Sequence, residues 1–346
     1  MSNGTRRDAN LDLLRSIDIA LVLLHHVSQY IITLPVSVHA FTRLGAYGVD
    51  LFFVLSGFLI GSLYFRELQQ TGRVALLRFW GRRWLRTLPL YYFALLLAYV
   101  SVFVARGEPF NPAYLLFGQN YLKTLPFFLV SWSLCVEEHF YLFAPAILWG
   151  ASRMRCPLLL VLLVAVFAPT VLRFLDPQAL PLSSFGYAET ATHLRFDGLA
   201  MGLVLAYLKT FQIEYWILLK RFSKRSCLLV VGSLLTVPMW SPEVTYYFGY
   251  FWVSVVCTLT LAAVVDEKPS AIAELSLTAR LATYSYSIYL THALVIHASV
   301  WATDKIGISR YLLVPAWVAA IFFFGLAVYS LIERPSLRWR DAVLPK

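Results

Sequence analysis

The chain has 346 residues, 59% of them apolar and 14% charged, whereas soluble domains carry roughly a quarter charged residues. With apolar runs repeating along the whole length, that balance excludes a soluble enzyme and a disordered tail, and points to an all-α polytopic membrane protein. The net charge of +10 does not imply nucleic acid as a partner, because the basic residues fall between apolar runs instead of forming one basic face.

A bilayer crossing needs about 20 apolar residues. Ten spans are predicted, at 13–34, 48–65, 87–105, 131–149, 157–175, 195–209, 226–240, 246–265, 281–301 and 311–332. The stretch 110–130, with Pro112 and Pro126, reads as a long loop with an interfacial segment. If the N-terminus is cytoplasmic, 22 of the 29 Lys and Arg residues fall on that side. The positive-inside rule then places both termini in the cytoplasm, as an even number of spans requires. Residues 1–10 are polar and no cleavable leader is expected, so 1–346 reads as one transmembrane domain. Cys135, Cys156, Cys227 and Cys257 lack disulfide or metal-ligand spacing and read as small core residues, with no metal site implied.

The first run carries Asp12, Arg15, Asp18, His25 and His26. Arg15 and His26 are eleven residues apart, which on a helix leaves them within roughly 20° on one face and about 16 Å apart along the axis. Ionisable groups inside a membrane helix mark function by default; a snorkelling arginine and a hydrogen-bonded structural histidine would fit the same pattern. Asp18 is one turn beyond Arg15 and close enough to pair with it. Gly57 and Ser56 in the second span, and Gly198 and Gly202 in the sixth, would let helices approach closely.

Several ordered stretches carry a resemblance: Leu11-Asp12-Leu13-Leu14-Arg15 running to His26; Gly48-Val49-Asp50-Leu51-Phe52-Phe53 on to Ile60; Arg82-Arg83-Trp84-Leu85-Arg86; and Gln119-Asn120 followed by Trp132-Ser133-Leu134-Cys135-Val136-Glu137-Glu138. Later come Arg195-Phe196-Asp197-Gly198, Ser285-Tyr286-Ser287-Ile288-Tyr289-Leu290-Thr291-His292 and Glu333-Arg334-Pro335. In this order the set resembles the acyltransferase 3 family of integral membrane O-acyltransferases. Asp18 and His139 depart from that family's usual residues. A fused extracellular esterase-like domain, carried by some members, is not expected here.

The resemblance implies transfer of an acyl group from cytoplasmic acyl-CoA, most simply acetyl-CoA, to a sugar hydroxyl of a surface or exported polysaccharide. It implies a multi-pass protein of a bacterial inner membrane whose partners are lipid, the acyl-CoA co-substrate and a carbohydrate acceptor, with no permanently bound cofactor. His26 is the candidate general base or transient acyl carrier, with Arg15 on its stripe. Arg82, Arg83 and Arg86 are candidates for the CoA phosphates, Arg83 and Arg86 being three apart on one helical face; the other reading is a topology signal or lipid head-group binding. An extended pantetheine arm of about 15 to 20 Å matches the Arg15-to-His26 reach.

Ser133 and Glu137 share a helical face, with Tyr141 a turn on. Glu137 could orient His26, hold Arg15 or keep the bundle in register. His292 and Tyr289 are acceptor-binding or structural, and Arg195 and Asp197 either meet the acceptor or form a helix-start ion pair. His39, His139 and His297 read as structural. Two alternatives stand beside this reading: the same chemistry on a small acceptor such as a macrolide or lipid-linked sugar, and a transporter using Arg15, His26 and Glu137 as a relay. The paired halves and broken helices that often mark transporters are not visible in the sequence.

Overall fold

The computed structural model describes residues 8–31, 42–107, 109–176 and 185–345; His39 lies outside them. Among the described residues the protein is helical, with one isolated β-bridge between Thr124 and Gly186. The helices are α1 (Ala9–Ser28), α2 (Gly48–Thr71), α3 (Leu76–Arg106), α4 (Trp132–Arg153), α5 (Leu158–Leu175) and α6 (Asp197–Phe211). They continue with α7 (Ile213–Ser233), α8 (Tyr250–Val264), α9 (Ser276–Ile306), α10 (Arg310–Val328) and α11 (Arg334–Val343). Among the described residues five stretches are long and apolar enough to cross a membrane: Leu44–Thr71, Leu76–Ala105, Leu158–Leu175, Pro242–Val264 and Arg310–Val343. On α5, Leu160, Val164, Phe167 and Val171 are exposed, an outer surface suited to lipid.

Polar contacts gather one set of helix ends. The Asn10 amide donates to Val264 O at 3.0 Å and Glu267 O at 3.1 Å, Gln69 donates to Thr210 O at 3.4 Å, and Ser16 donates to Thr278 O at 2.9 Å. The starts of α1 and α9 and the ends of α2, α6 and α8 therefore share one end of the bundle.

The centre is the α2–α6 pair, and glycine sets its spacing. A Cβ on Gly57 would lie 2.0 Å from Leu199 O, and one on Gly202 would lie 2.3 Å from Val54 O. The backbones meet because these positions have no side chain. The sixth helix can thus be only 15 residues long and still be the most enclosed.

Four of these helices carry an internal proline, Pro169 in α5, Pro315 in α10, Pro89 in α3 and Pro145 in α4, and the last two open gaps that side chains fill. A proline cannot donate to the carbonyl four residues earlier, which frees Leu85 O and Tyr141 O. Both are re-satisfied from elsewhere: the Ser336 hydroxyl of α11 donates to Leu85 O at 2.5 Å, and the Trp80 indole of α3 donates to Tyr141 O at 3.0 Å.

Several boundaries differ from the sequence expectation. α3 starts at Leu76, not 87, because its arginines find carboxylates: Arg78 meets Glu67 at 3.0 Å and Arg82 meets Asp341 at 2.9 Å. α7 takes in Lys220 and Lys224, expected in the preceding gap; one turn apart, they reach the two oxygens of Glu267 at 2.6 Å each. α1 ends at Ser28, which places His26 in its last turn. The 110–130 loop folds into the bundle, with Gln119 and Asn120 fully buried. All four cysteines are free, and Cys156 is exposed in the α4–α5 link instead of in the core.

Gly57→Ala and Gly202→Ala should each lower stability by about 1–3 kcal/mol through overpacking. Gly150→Ala and Gly232→Ala, where a Cβ meets nothing within 4 Å, should be neutral or raise it by roughly 0.5–1 kcal/mol; thermal unfolding in detergent reads both. Ser336→Ala should cost about 0.5–1.5 kcal/mol in the native chain and much less in a Pro89→Ala background, where the restored N–H takes Leu85 O. A double-mutant cycle measures that coupling.

Candidate active site

The His26 ring faces the bundle interior. Its Nδ1 lies 2.9 Å from Val22 O, and its ring centroid is 4.8 Å from that of His292 on α9. A carbonyl only accepts, so Nδ1 carries the proton and the neutral ring keeps its lone pair on Nε2. His292 repeats the arrangement: Nδ1 is 2.7 Å from Tyr289 O, and Nε2 is buried without a hydrogen-bond partner. Two imidazoles from different helices thus meet edge to face, each with one nitrogen tied to its own backbone. The His25 ring adjoins His26 at 5.3 Å.

Below this pair the contacts run through α4 and α9. The Tyr289 hydroxyl is 2.6 Å from Ser133 Oγ and donates to Val130 O at 3.0 Å, and its ring stacks on Phe52. Glu137 accepts from the Tyr141 hydroxyl and lies 3.9 Å from the Arg83 guanidinium, which sits 3.9 Å above the Tyr141 ring. Arg86 is within electrostatic reach of Arg83, Arg15 and Glu333, and Asp18 is within reach of Arg15 and Glu137. Arg15 itself pairs with Asp12 at 3.7 Å, one turn toward the helix start.

The structure splits the arginine group. Arg83 and Arg86 turn inward, whereas Arg82 pairs with Asp341 and donates to Leu344 O of the tail. Arg82 and Arg83 point about 100° apart on the helix, with Arg86 between them, and the partners, Asp341 for Arg82 and Glu137 for Arg83, set which way each turns.

Arg195 and Asp197 do not pair with each other. Arg195 meets Asp50 at 3.0 Å, donates to Glu189 O at 2.9 Å and lies 3.8 Å over the Tyr250 ring. Asp197 meets the fully buried Arg173 at 3.1 Å. Both are cross-helix ion pairs at the opposite end of the bundle from Asn10.

Sequence reasoning missed Arg173, Asp50 and Glu333. Asp50 stood in a quoted motif, but its partner is 145 residues away. Glu333 stood in the closing motif, and it accepts from Ser287 at 2.5 Å, so two motifs counted separately form one contact. His139 meets Thr192 at 2.7 Å and His297 meets Tyr30 at 2.5 Å, both hydrogen-bonded.

A family model for an acyltransferase domain, that of acyltransferase 3, matches residues 8–334. The chain belongs to the acyltransferase 3 family. Among curated relatives, a provisionally named O-acetyltransferase of Staphylococcus aureus strain MRSA252 is 25% identical over 378 residues, covering 97% of this chain and 59% of its own length. O-acetyltransferase OatA of Staphylococcus aureus strain NCTC 8325 is 26% identical over 279 residues, covering 72% of this chain and 45% of its own length. The chain thus spans three-fifths or less of the curated relatives it matches. No solved structure matches it. The inward rings, the arginines and the Asp50–Arg195 pair all lie within the matched residues 8–334.

Asp50→Asn should leave the buried Arg195 charge uncompensated and cost about 3–5 kcal/mol. Asp341→Asn, on an exposed pair, should cost under about 1 kcal/mol. Thermal unfolding in one detergent compares them.

Proposed function

We propose that this acyltransferase 3 protein transfers an acetyl group from cytoplasmic acetyl-CoA to a sugar hydroxyl of a surface or exported polysaccharide. In this reading it crosses a bacterial inner membrane ten times with both termini cytoplasmic, and the helix ends gathered around Asn10 face the cytoplasm. The observation that carries the proposal is the inward-facing His26 ring, its Nδ1 tied to Val22 and its other nitrogen left to accept a proton. In this reading Arg15, Arg83 and Arg86 lie on the cytoplasmic side of that ring, and Arg15 is about 16 Å from it along α1, the reach of a pantetheine arm.

The acceptor oxygen attacks the thioester carbonyl as His26 Nε2 takes the hydroxyl proton. A C–O bond forms, the C–S bond breaks, and the proton passes to the departing thiolate, leaving an ester and free CoA. In the two-stage variant, His26 first carries the acyl group and then passes it to the hydroxyl.

Arg83 and Arg86 hold donor phosphates by charge-assisted bonds, with Glu137 and Tyr141 fixing the Arg83 guanidinium. Arg82 braces the tail. His292 Nε2 offers the acceptor a hydrogen-bond site beside the base, and the Ser133–Tyr289 contact fixes that helix. Arg195 and Asp197 bear on the acceptor only by bracing helix ends through Asp50 and Arg173. The printed names of the relatives support O-acetylation.

His26→Ala should lower turnover of acetyl-CoA with a glycan acceptor by on the order of 10²–10⁴-fold while the melting temperature holds; full activity in that variant would refute the role. Arg83→Gln and Arg86→Gln should raise KM for acetyl-CoA by at least about tenfold each, a loss of one charge-assisted contact, with Arg82→Gln raising it less. Trapping of labelled acetyl on His26 selects the two-stage route. Mass spectrometry of surface glycans separates a polysaccharide acceptor from a macrolide or lipid-linked sugar. A purified protein that neither binds nor turns over acetyl-CoA would favour the transporter.

A further inference from the structure

Beside the last turns of α2 and α4, at the same end as Asn10, lies a cavity of about 320 Å³ lined by Tyr64, Leu68, Arg73, Trp149, Ser152 and Arg153, among others. Ligand pockets run from roughly 300 to 1,000 Å³, so this one admits a nucleotide-sized group and not a whole coenzyme. Arg73 follows the left-handed Gly72 that caps α2, and Arg153 closes α4 with its guanidinium 5.6 Å from the Trp149 ring.

Several cations at this end are neutralised: Arg78 by Glu67, Arg82 by Asp341, Lys209 by Asp266. Among the described residues neither Arg73 nor Arg153 has a carboxylate partner. Two uncompensated guanidiniums, a hydroxyl, an exposed indole face and an apolar floor suit an aromatic base that carries phosphate.

The cavity also lies close to the arginines assigned to the donor. Tyr64 lines both it and a small apolar void of about 10 Å³ whose other walls include Phe79, Leu148 and Tyr141. Tyr141 is the ring under Arg83. Tyr64, the small void and the Tyr141 ring therefore lie between the cavity and Arg83.

Resting on the donor reading above, we infer that this cavity binds the phosphorylated adenosine end of the acyl-CoA, with Arg73 and Arg153 on its phosphates and Trp149 against its base. Arg83 and Arg86 then take the phosphates nearer the thioester.

The test uses the full chain in nanodiscs, with adenosine 3′,5′-bisphosphate as the nucleotide probe and acetyl-pantetheine as the donor lacking a nucleotide. The Arg73→Gln/Arg153→Gln double variant should bind the bisphosphate at least about tenfold more weakly, and its preference for acetyl-CoA over acetyl-pantetheine should fall by a similar factor. Both side chains are exposed, so the melting temperature should hold; the two single variants serve as a second set. Unchanged bisphosphate affinity and unchanged preference would overturn the inference while wild-type acetyl-CoA turnover left the acetyltransfer reading standing. Absence of acetyl-CoA binding by the wild type would overturn both. Retention of phosphatidylglycerol by wild type but not by the double variant, with bisphosphate affinity unchanged, would give the cavity to a lipid phosphate and overturn it as well.

Discussion

A charge drawn into an apolar bundle has to be answered there, by a partner on another helix, because lipid offers it nothing. Arg195 with Asp50, Asp197 with Arg173 and Arg83 with Glu137 are all pairs of this kind. Each joins residues far apart in the chain, so each also fixes how two helices stand to one another. Stability and chemistry are therefore hard to separate here. The same Glu137 that keeps Arg83 over the Tyr141 ring decides where a donor phosphate would meet that arginine.

Around these pairs the bundle combines close approach with local irregularity. The α2–α6 contact is as tight as backbone permits, since glycines stand where any Cβ would collide. α3 and α4, by contrast, are interrupted by prolines, and the carbonyls those prolines release are filled by side chains from neighbouring helices. Arg83, Arg86 and Glu137 of the candidate site sit on these two interrupted helices. A helix that borrows a hydrogen bond from its neighbour can carry polar residues at depth without unravelling.

Much of this was legible in the sequence because it is local. The apolar runs marked the helices, the eleven-residue step from Arg15 to His26 put both on one stripe of α1, and Gly57 and Gly202 announced a close crossing. The unread parts are non-local. Nothing near Asp50 points to Arg195, and nothing near Arg82 says that its partner is Asp341 at the far end of the chain. Helix ends went astray for the same reason: a run of arginines looks like a loop until the carboxylates that neutralise it are known, as with Glu67 and Asp341 for α3. Arg83 and Arg86 were legible as neighbours on one face, but Arg82 stands only about 40° from Arg86 on the helix, so its turn to the tail is set by Asp341 and not by local geometry.

The bond between the Ser336 hydroxyl and Leu85 O has a hereditary side. It exists because position 89 is a proline; with any other residue there, the backbone would claim that oxygen and the hydroxyl would be idle. The two sites, almost 250 residues apart, are thus tied by a debt that only one of them creates. Among related chains they should drift as a linked pair, the hydroxyl kept where the imino acid is kept and released where it is lost, and Pro145 with Trp80 should leave a second such trace.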